Sequence, residues 1–189
     1  MKKSATRVSI VVIILVAGVV GYYAYLSNQA KEQKRDATMS TVQSVLSRNL
    51  ESDYPSTVKE VIKYYNEIMK CYYNEECTEA EIEALGMQAR ELYDEALLEE
   101  NEVNEYMERL YGEINSFKNN QRKITSISLA GSTSVDYFDQ DGYSFARIQC
   151  IYNVSEGGVT TGSIERYLLR RDENKLWKIY GWELVPQNN

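Results

Sequence analysis

The sequence predicts an α+β domain held behind a single membrane-spanning helix, and three observations predict it. Nineteen uncharged residues, Val8 to Leu26, stand close behind Lys2, Lys3 and Arg7. Between residues 57 and 118 apolar side chains recur at three- and four-residue spacing, as on helices. From Lys123 the period changes to two, with β-branched and aromatic residues between turn signals. Helices first and an antiparallel meander second is the order in which helices cover one face of a sheet.

At about 1.5 Å of rise per residue the apolar run matches the thickness of a bilayer's hydrocarbon core, where a helix satisfies its own backbone. A cleavable signal peptide shares the basic tip and apolar stretch. Here Tyr22, Tyr23, Tyr25 and Asn28 occupy places where a cleavage site wants small residues, and no cysteine follows for lipoprotein processing. The tyrosines fit the aromatic belt of a headgroup interface. Lys31, Lys34 and Arg35 nearly balance the basic tip, so orientation rests on the usual export of a long region behind an N-terminal anchor. The expected plan is a basic cytoplasmic tail (1–7), a transmembrane helix (8–26), a juxtamembrane linker (27–53) and an extracytoplasmic domain (54–189), single-pass in the cell membrane. Ala17 and Gly21 form a small-x-x-x-small pair at which two spans can approach. The linker pattern Met39, Val42, Val45, Leu46 and Leu50 is open to an amphipathic helix or a strand.

Three helices are expected in the domain. Thr57 and Glu60 form a capping box ahead of the stripe Val58, Val61, Ile62, Tyr65, Ile68, Met69 and Tyr72. Thr78 and Glu81 repeat the box before Ile82, Leu85, Ala89, Leu92, Tyr93 and Ala96. Asn101 is expected to cap the third, with Val103, Met107, Leu110, Ile114 and Phe117 inward. Each stripe is broad enough to pack on a core. Residues 51–118 carry eighteen acidic and six basic side chains, whereas 119–189 balance eight against eight. Such an acidic block repels phosphates, which argues against nucleic acid and anionic lipid surfaces as partners of the domain.

Four strands are expected to follow: Lys123 to Phe138, bending near Gly131; a strand after the Asp141-Gly142 turn; Val159 to Arg171 after Gly157-Gly158; and Leu176 to Val185. In the last pair apolar residues appear at both parities, Trp177 and Ile179 against Leu176, Tyr180, Trp182 and Leu184. Either the sheet coils until its second face is partly covered, or that face meets a partner such as a second copy of the chain. Tyr167, Trp177, Tyr180 and Trp182 are the candidate partner or pocket surface.

The stretch PSTVKEVIKYYNEIMK and the closing pair ERYLLRRDENKLWKIYGWEL, with WKIYGW at its centre, resemble the NTF2-like superfamily over roughly Tyr54 to Val185. The resemblance implies a cone in which three helices pack on a bent four-stranded antiparallel sheet. The whole chain is also similar to small membrane-anchored proteins of Gram-positive bacteria. Fold does not carry function, although some NTF2-like relatives are isomerases or dehydratases with Asp, His or Tyr in the cavity.

This chain contains no histidine, which removes the commonest neutral-pH base, histidine metal ligation and Ser-His or Cys-His pairs. An Asp with a Tyr remains possible chemistry, and Tyr64, Tyr65, Asp136 and Tyr137 are of the right types. Their spacing does not set them apart from packing residues, and no catalytic, cofactor or metal residue is assigned. Cys71, Cys77 and Cys150 match no C-x-x-C or zinc spacing. Cys150 fits a small core residue, and Cys71 and Cys77 can bridge only if their helix ends between them. Asn153-Val154-Ser155 spells a glycosylation acceptor of weak import, and DQDG at 139–142 lacks the further ligands of a calcium loop. The expectation is a membrane-anchored, non-catalytic binding or scaffolding module of the cell envelope. The alternative is a small-ligand or enzymatic pocket between helices and sheet, marked by an aromatic-lined cavity with a buried carboxylate of raised pKa.

Overall fold

The structure, a computed structural model, describes residues 40–186. The predicted span Val8 to Leu26 and its basic flanks lie outside the described residues; among the described residues no helix is long and apolar enough to cross a membrane.

The α+β class holds, with five α-helices and one antiparallel sheet among the described residues. Helix α1, Thr41–Leu46, settles the open choice in the predicted linker. Its Val42 and Val45, with Leu50 beyond it, are buried in the common core, and the compact unit begins at Thr41. Residues 41–53 therefore fold with the domain.

Helix α2, Val58–Asn74, starts at the predicted Thr57–Glu60 capping box and buries the predicted stripe, Met69 only in part. Helix α3, Glu79–Arg90, starts at the Thr78–Glu81 box but stops short of the end its stripe suggested. The cause is tertiary. Asp94 N donates to Ile179 O and Ile179 N to Leu92 O, both at 2.8 Å, so residues 91–94 leave the helix to line the sheet edge. Leu92 and Tyr93 stay buried there, and Asp94 caps the short helix α4, Glu95–Glu99, which holds Ala96. Helix α5, Val103–Asn119, is capped by Glu102 and not by Asn101; its buried residues are Leu110 and Ile114, while Val103 is exposed and Met107 and Phe117 are half-buried. The Asn101 carbonyl instead receives Arg90 Nη1 and its side-chain oxygen receives Arg109 Nη2.

The predicted first strand is two: β1, Lys123–Leu129, and β2, Asp136–Gln140, separated after Gly131 by a 3-10 turn at Ser132–Ser134. Both pair with the long β3, Tyr143–Glu156, β2 along its first part and β1 along its second. Strands β4, Val159–Arg171, and β5, Trp177–Leu184, complete the order β1-β3-β4-β5. The turn at Asp141 and Gly142 has φ of 52° and 83°, the double positive pair that tight hairpins use.

The two-parity pattern of β5 has a backbone explanation. Ile179 pairs with Leu169 and Gly181 with Leu168, which leaves Tyr180 as the extra residue of a β-bulge. Before the bulge Trp177 and Ile179 face the helices; after it Trp182, paired with Tyr167, faces them too. Tyr180 is left on the outer face, edge-on to Phe145 at 5.7 Å. A covered outer face is therefore not required by this pattern.

Candidate functional site

Three elements bring their side chains to one cavity of about 300 Å³. Helix α2 offers Tyr65, Met69, Tyr72 and Tyr73, a single stripe because residues three and four apart share a helix face. Helix α5 answers with Tyr106, Arg109, Leu110 and Glu113 at the same spacing. The sheet closes the space with Glu165 and Tyr167, two apart on β4, and with Trp182, which the bulge returned to this face. Tyr93 enters from the turn after α3 and Asn101 from the turn before α5.

The rings touch one another. Tyr65 lies 6.1 Å from Tyr93, 6.0 Å from Tyr167 and 6.1 Å from Trp182, centroid to centroid. Trp182 is 6.1 Å from Tyr93 and 6.0 Å from Tyr167, and Tyr106 meets Tyr93 edge-on. Behind Tyr106 the buried Arg90 guanidinium stacks at 5.2 Å. Trp182 is 44% exposed.

Glu165 is the carboxylate of the sheet wall. Tyr167 Oη lies 2.7 Å from its Oε2 and 2.8 Å from Tyr152 Oη, and Tyr152 contacts Asn66 Oδ1. Burial pushes the Glu165 carboxyl above its ordinary range, opposed by the Tyr167 hydrogen bond. Burial likewise raises the phenols of Tyr65, Tyr72, Tyr93, Tyr106 and Tyr167, so the cavity holds no phenolate near neutral pH. Tyr72, 1% exposed, has its hydroxyl beside that of Tyr106, which acts on it as a hydrogen-bonding neighbour although the pair falls short of full hydrogen-bond geometry.

Of the four candidate surface residues, Tyr167 and Trp182 meet in this cavity. Trp177 is buried further along the inner face beneath Tyr137, at 5.7 Å, and Tyr180 is outside. The Asp and Tyr types considered for proton abstraction are scattered. Tyr64 Oη donates to Val45 O at 2.8 Å, Asp136 pairs with Arg147 on the outer side of the sheet, and Tyr137 is 58% exposed; only Tyr65 reaches the cavity. Glu165 was missed, yet the sequence carries a signal for it: it shares strand parity with Tyr167 and Leu169, so a carboxylate interrupts an apolar face.

All three cysteines are free. Helix α2 does end between Cys71 and Cys77, but the Cys77 thiol is directed at the Cys71 carbonyl, 3.3 Å away, and caps that helix end. Burial pushes the Cys71 thiol up to about 12 and raises Cys77 and Cys150 as well. Among the described residues no group of His, Cys, Asp and Glu side chains forms a metal site.

The sequence matches the family model described as "Domain of unknown function (DUF6715)" over residues 1–182. The chain belongs to this family. The DUF6715 match takes in the apolar N-terminal run together with the whole cavity-bearing domain as far as Trp182. No curated protein matches the chain significantly.

Proposed function

We propose that this DUF6715 chain is a single-pass membrane-anchored binding module with an NTF2-like domain, that its binding site is the tyrosine-lined cavity, and that it binds without turnover. The observation that carries this reading is the cavity's lining. Six of the rings named above and Trp182 surround a half-buried carboxylate, the mixture of apolar walls and a few polar groups found where small molecules are held.

Helices on one face of a sheet bulged at Thr125 and Tyr180, with the cavity between the layers, support the NTF2-like reading. The Val8 to Leu26 run behind Lys2, Lys3 and Arg7 supports the tether, with the N-terminus cytoplasmic and the domain extracytoplasmic. Raised phenols and the Glu165 and Glu113 carboxylates supply groups for recognition but no activated nucleophile, which favours binding over catalysis.

Ligand-observed NMR with a panel of neutral and charged fragments, on the full chain in a non-ionic detergent, tests the binding site. Fragments are expected to bind competitively and to lose contact in Met69→Trp, which fills the cavity. Binding that is unchanged by the plug, or absent across the panel, rejects the reading.

A further inference from the structure

We propose that the cavity takes an organic ammonium ion, its charge set against the faces of Tyr65, Tyr93, Tyr167 and Trp182 and against Glu165. This deepens the ligand-binding reading and rests on it.

The first argument is the kind of wall. Tyrosine and tryptophan rings carry negative faces that attract a desolvated cation, and tryptophan does so best. Neighbouring rings of this set have centroids 6.0–6.1 Å apart and planes inclined by 31° to 69°. They therefore meet as inclined walls and not as one flat platform.

The second argument is Glu165. A carboxylate has about four acceptor sites, and this one contacts a single hydrogen-bond partner, Tyr167. Three other carboxylates at the sheet have arginines: Asp94 has Arg170, Glu156 has Arg122 and Glu183 has Arg166. Among the described residues Glu165 has no ion-pair partner, and the one guanidinium that lines the cavity, Arg109, is engaged with Asn101. A half-buried carboxylate without a counter-ion is costly, and a bound cation removes that cost.

The third argument is the surrounding field. Glu113 stands at the same cavity, and residues 51–118 carry eighteen acidic against six basic groups, a charge distribution that draws cations and repels anions.

The test titrates the full chain, in a maltoside detergent without quaternary ammonium groups, with choline, with tetramethylammonium and with 3,3-dimethyl-1-butanol, the uncharged carbon analogue of choline. Tryptophan fluorescence and tyrosine ring NMR signals report binding. At least one ammonium probe is expected to bind saturably and roughly tenfold or more tightly than the carbon analogue. Glu165→Gln is expected to lower that affinity at least severalfold. Trp182→Phe, which keeps a ring but weakens its face, is expected to lower it by roughly threefold or more. Equal binding of the carbon analogue overturns the ammonium assignment and leaves the ligand-binding reading standing. Failure of both ammonium probes at millimolar concentration also overturns it; the neutral fragments of the panel above then decide separately whether the cavity binds anything. An affinity unchanged in Glu165→Gln and Trp182→Phe, with both variants giving the parent's ring spectrum, places the cation elsewhere and rejects the site.

Discussion

Glu165 ends a chain of polar contacts whose protons can be counted. The links run Glu165 to Tyr167, Tyr167 to Tyr152, Tyr152 to Asn66 Oδ1, and Asn66 Nδ2 to Cys150 Sγ. Each phenol owns one proton. With Glu165 neutral, every link is donated in order from the carboxyl to the thiol. With Glu165 ionised, Tyr167 must donate to it and Tyr152 to Tyr167, which leaves Tyr152 Oη and Asn66 Oδ1 facing as two acceptors unless the amide turns over. The groups around Glu165 are Tyr167 beside it, Cys150 opposite on β3, Tyr72 and Tyr73 from α2, and Arg109 and Glu113 from α5. Because its pKa is raised on folding, the native state holds this proton to higher pH than the unfolded chain does. Stability is therefore lost as pH rises from the ordinary carboxyl range through the folded-state value, and is flat above it. Glu165→Gln keeps a donor toward Tyr167 and removes the ionisation, so it is expected to melt a few degrees higher than the parent at pH 7.5 and equally at pH 4, by thermal denaturation. A gain that persists at pH 4 rejects this account. Tyr72→Phe deletes a buried hydroxyl that falls short of full hydrogen-bond geometry with its neighbour Tyr106; the ligand-free chain is expected to gain up to about 1 kcal/mol in chemical denaturation. A loss of similar size means the hydroxyl is satisfied after all.

Elements here end where tertiary contacts overrule local pattern. The connection after α3 is held by the backbone pair to Ile179 and by Asp94, 2% exposed, whose carboxylate takes Arg170 Nε at 2.8 Å and also caps α4. Asp94→Ala removes one partner of a buried pair and a cap together, with an expected cost of about 3 kcal/mol or more. Thr57→Ala removes only the side-chain half of a capping box on α2 and is expected to cost about 1 kcal/mol. Denaturant midpoints of the two variants should differ in that order, and equal losses contradict the role given to Asp94. The same contrast explains what could be read in advance. The Thr57–Glu60 and Thr78–Glu81 boxes and the Asp141-Gly142 turn are local signals, written in adjacent residues, and they stand where expected. The end of α3 depends on Ile179, far along the chain, and the cap of α5 on the arginines that engage Asn101, Arg90 at its carbonyl and Arg109 at its side-chain oxygen, so periodicity alone ran past one and shifted the other. The bulge at Tyr180 is of this long-range kind as well. It decides whether Trp182 faces the helices, and so half of the candidate surface was legible as aromatic content while its side of the sheet was not.

For the molecule as a whole, the deciding question is whether the domain is tethered at a membrane. An uncleaved helix from Val8 to Leu26 resists removal because each of its apolar side chains would have to be returned to water, at about 25 cal/mol for every Å² exposed. Electrostatic attachment has no comparable hold. An acidic domain is repelled by anionic lipid, and whatever the basic flanks contribute is screened by salt. The full chain expressed in bacterial cells is therefore expected to stay in the membrane pellet through alkaline carbonate and high salt, and its mass is expected to include residues 1–26. Orientation follows from the same cells. Ser4→Cys should resist an impermeant maleimide in intact cells and react once the membrane is opened, whereas Asn188→Cys should react from outside at once. The native thiols give little background near neutral pH, because burial raises the pKa of all three. Release of the chain by carbonate, or a mature product that begins beyond Leu26, removes the tether. Labelling of Ser4→Cys in intact cells keeps the tether and reverses its direction, which would place the cavity on the cytoplasmic side and change the pool of ammonium compounds it meets.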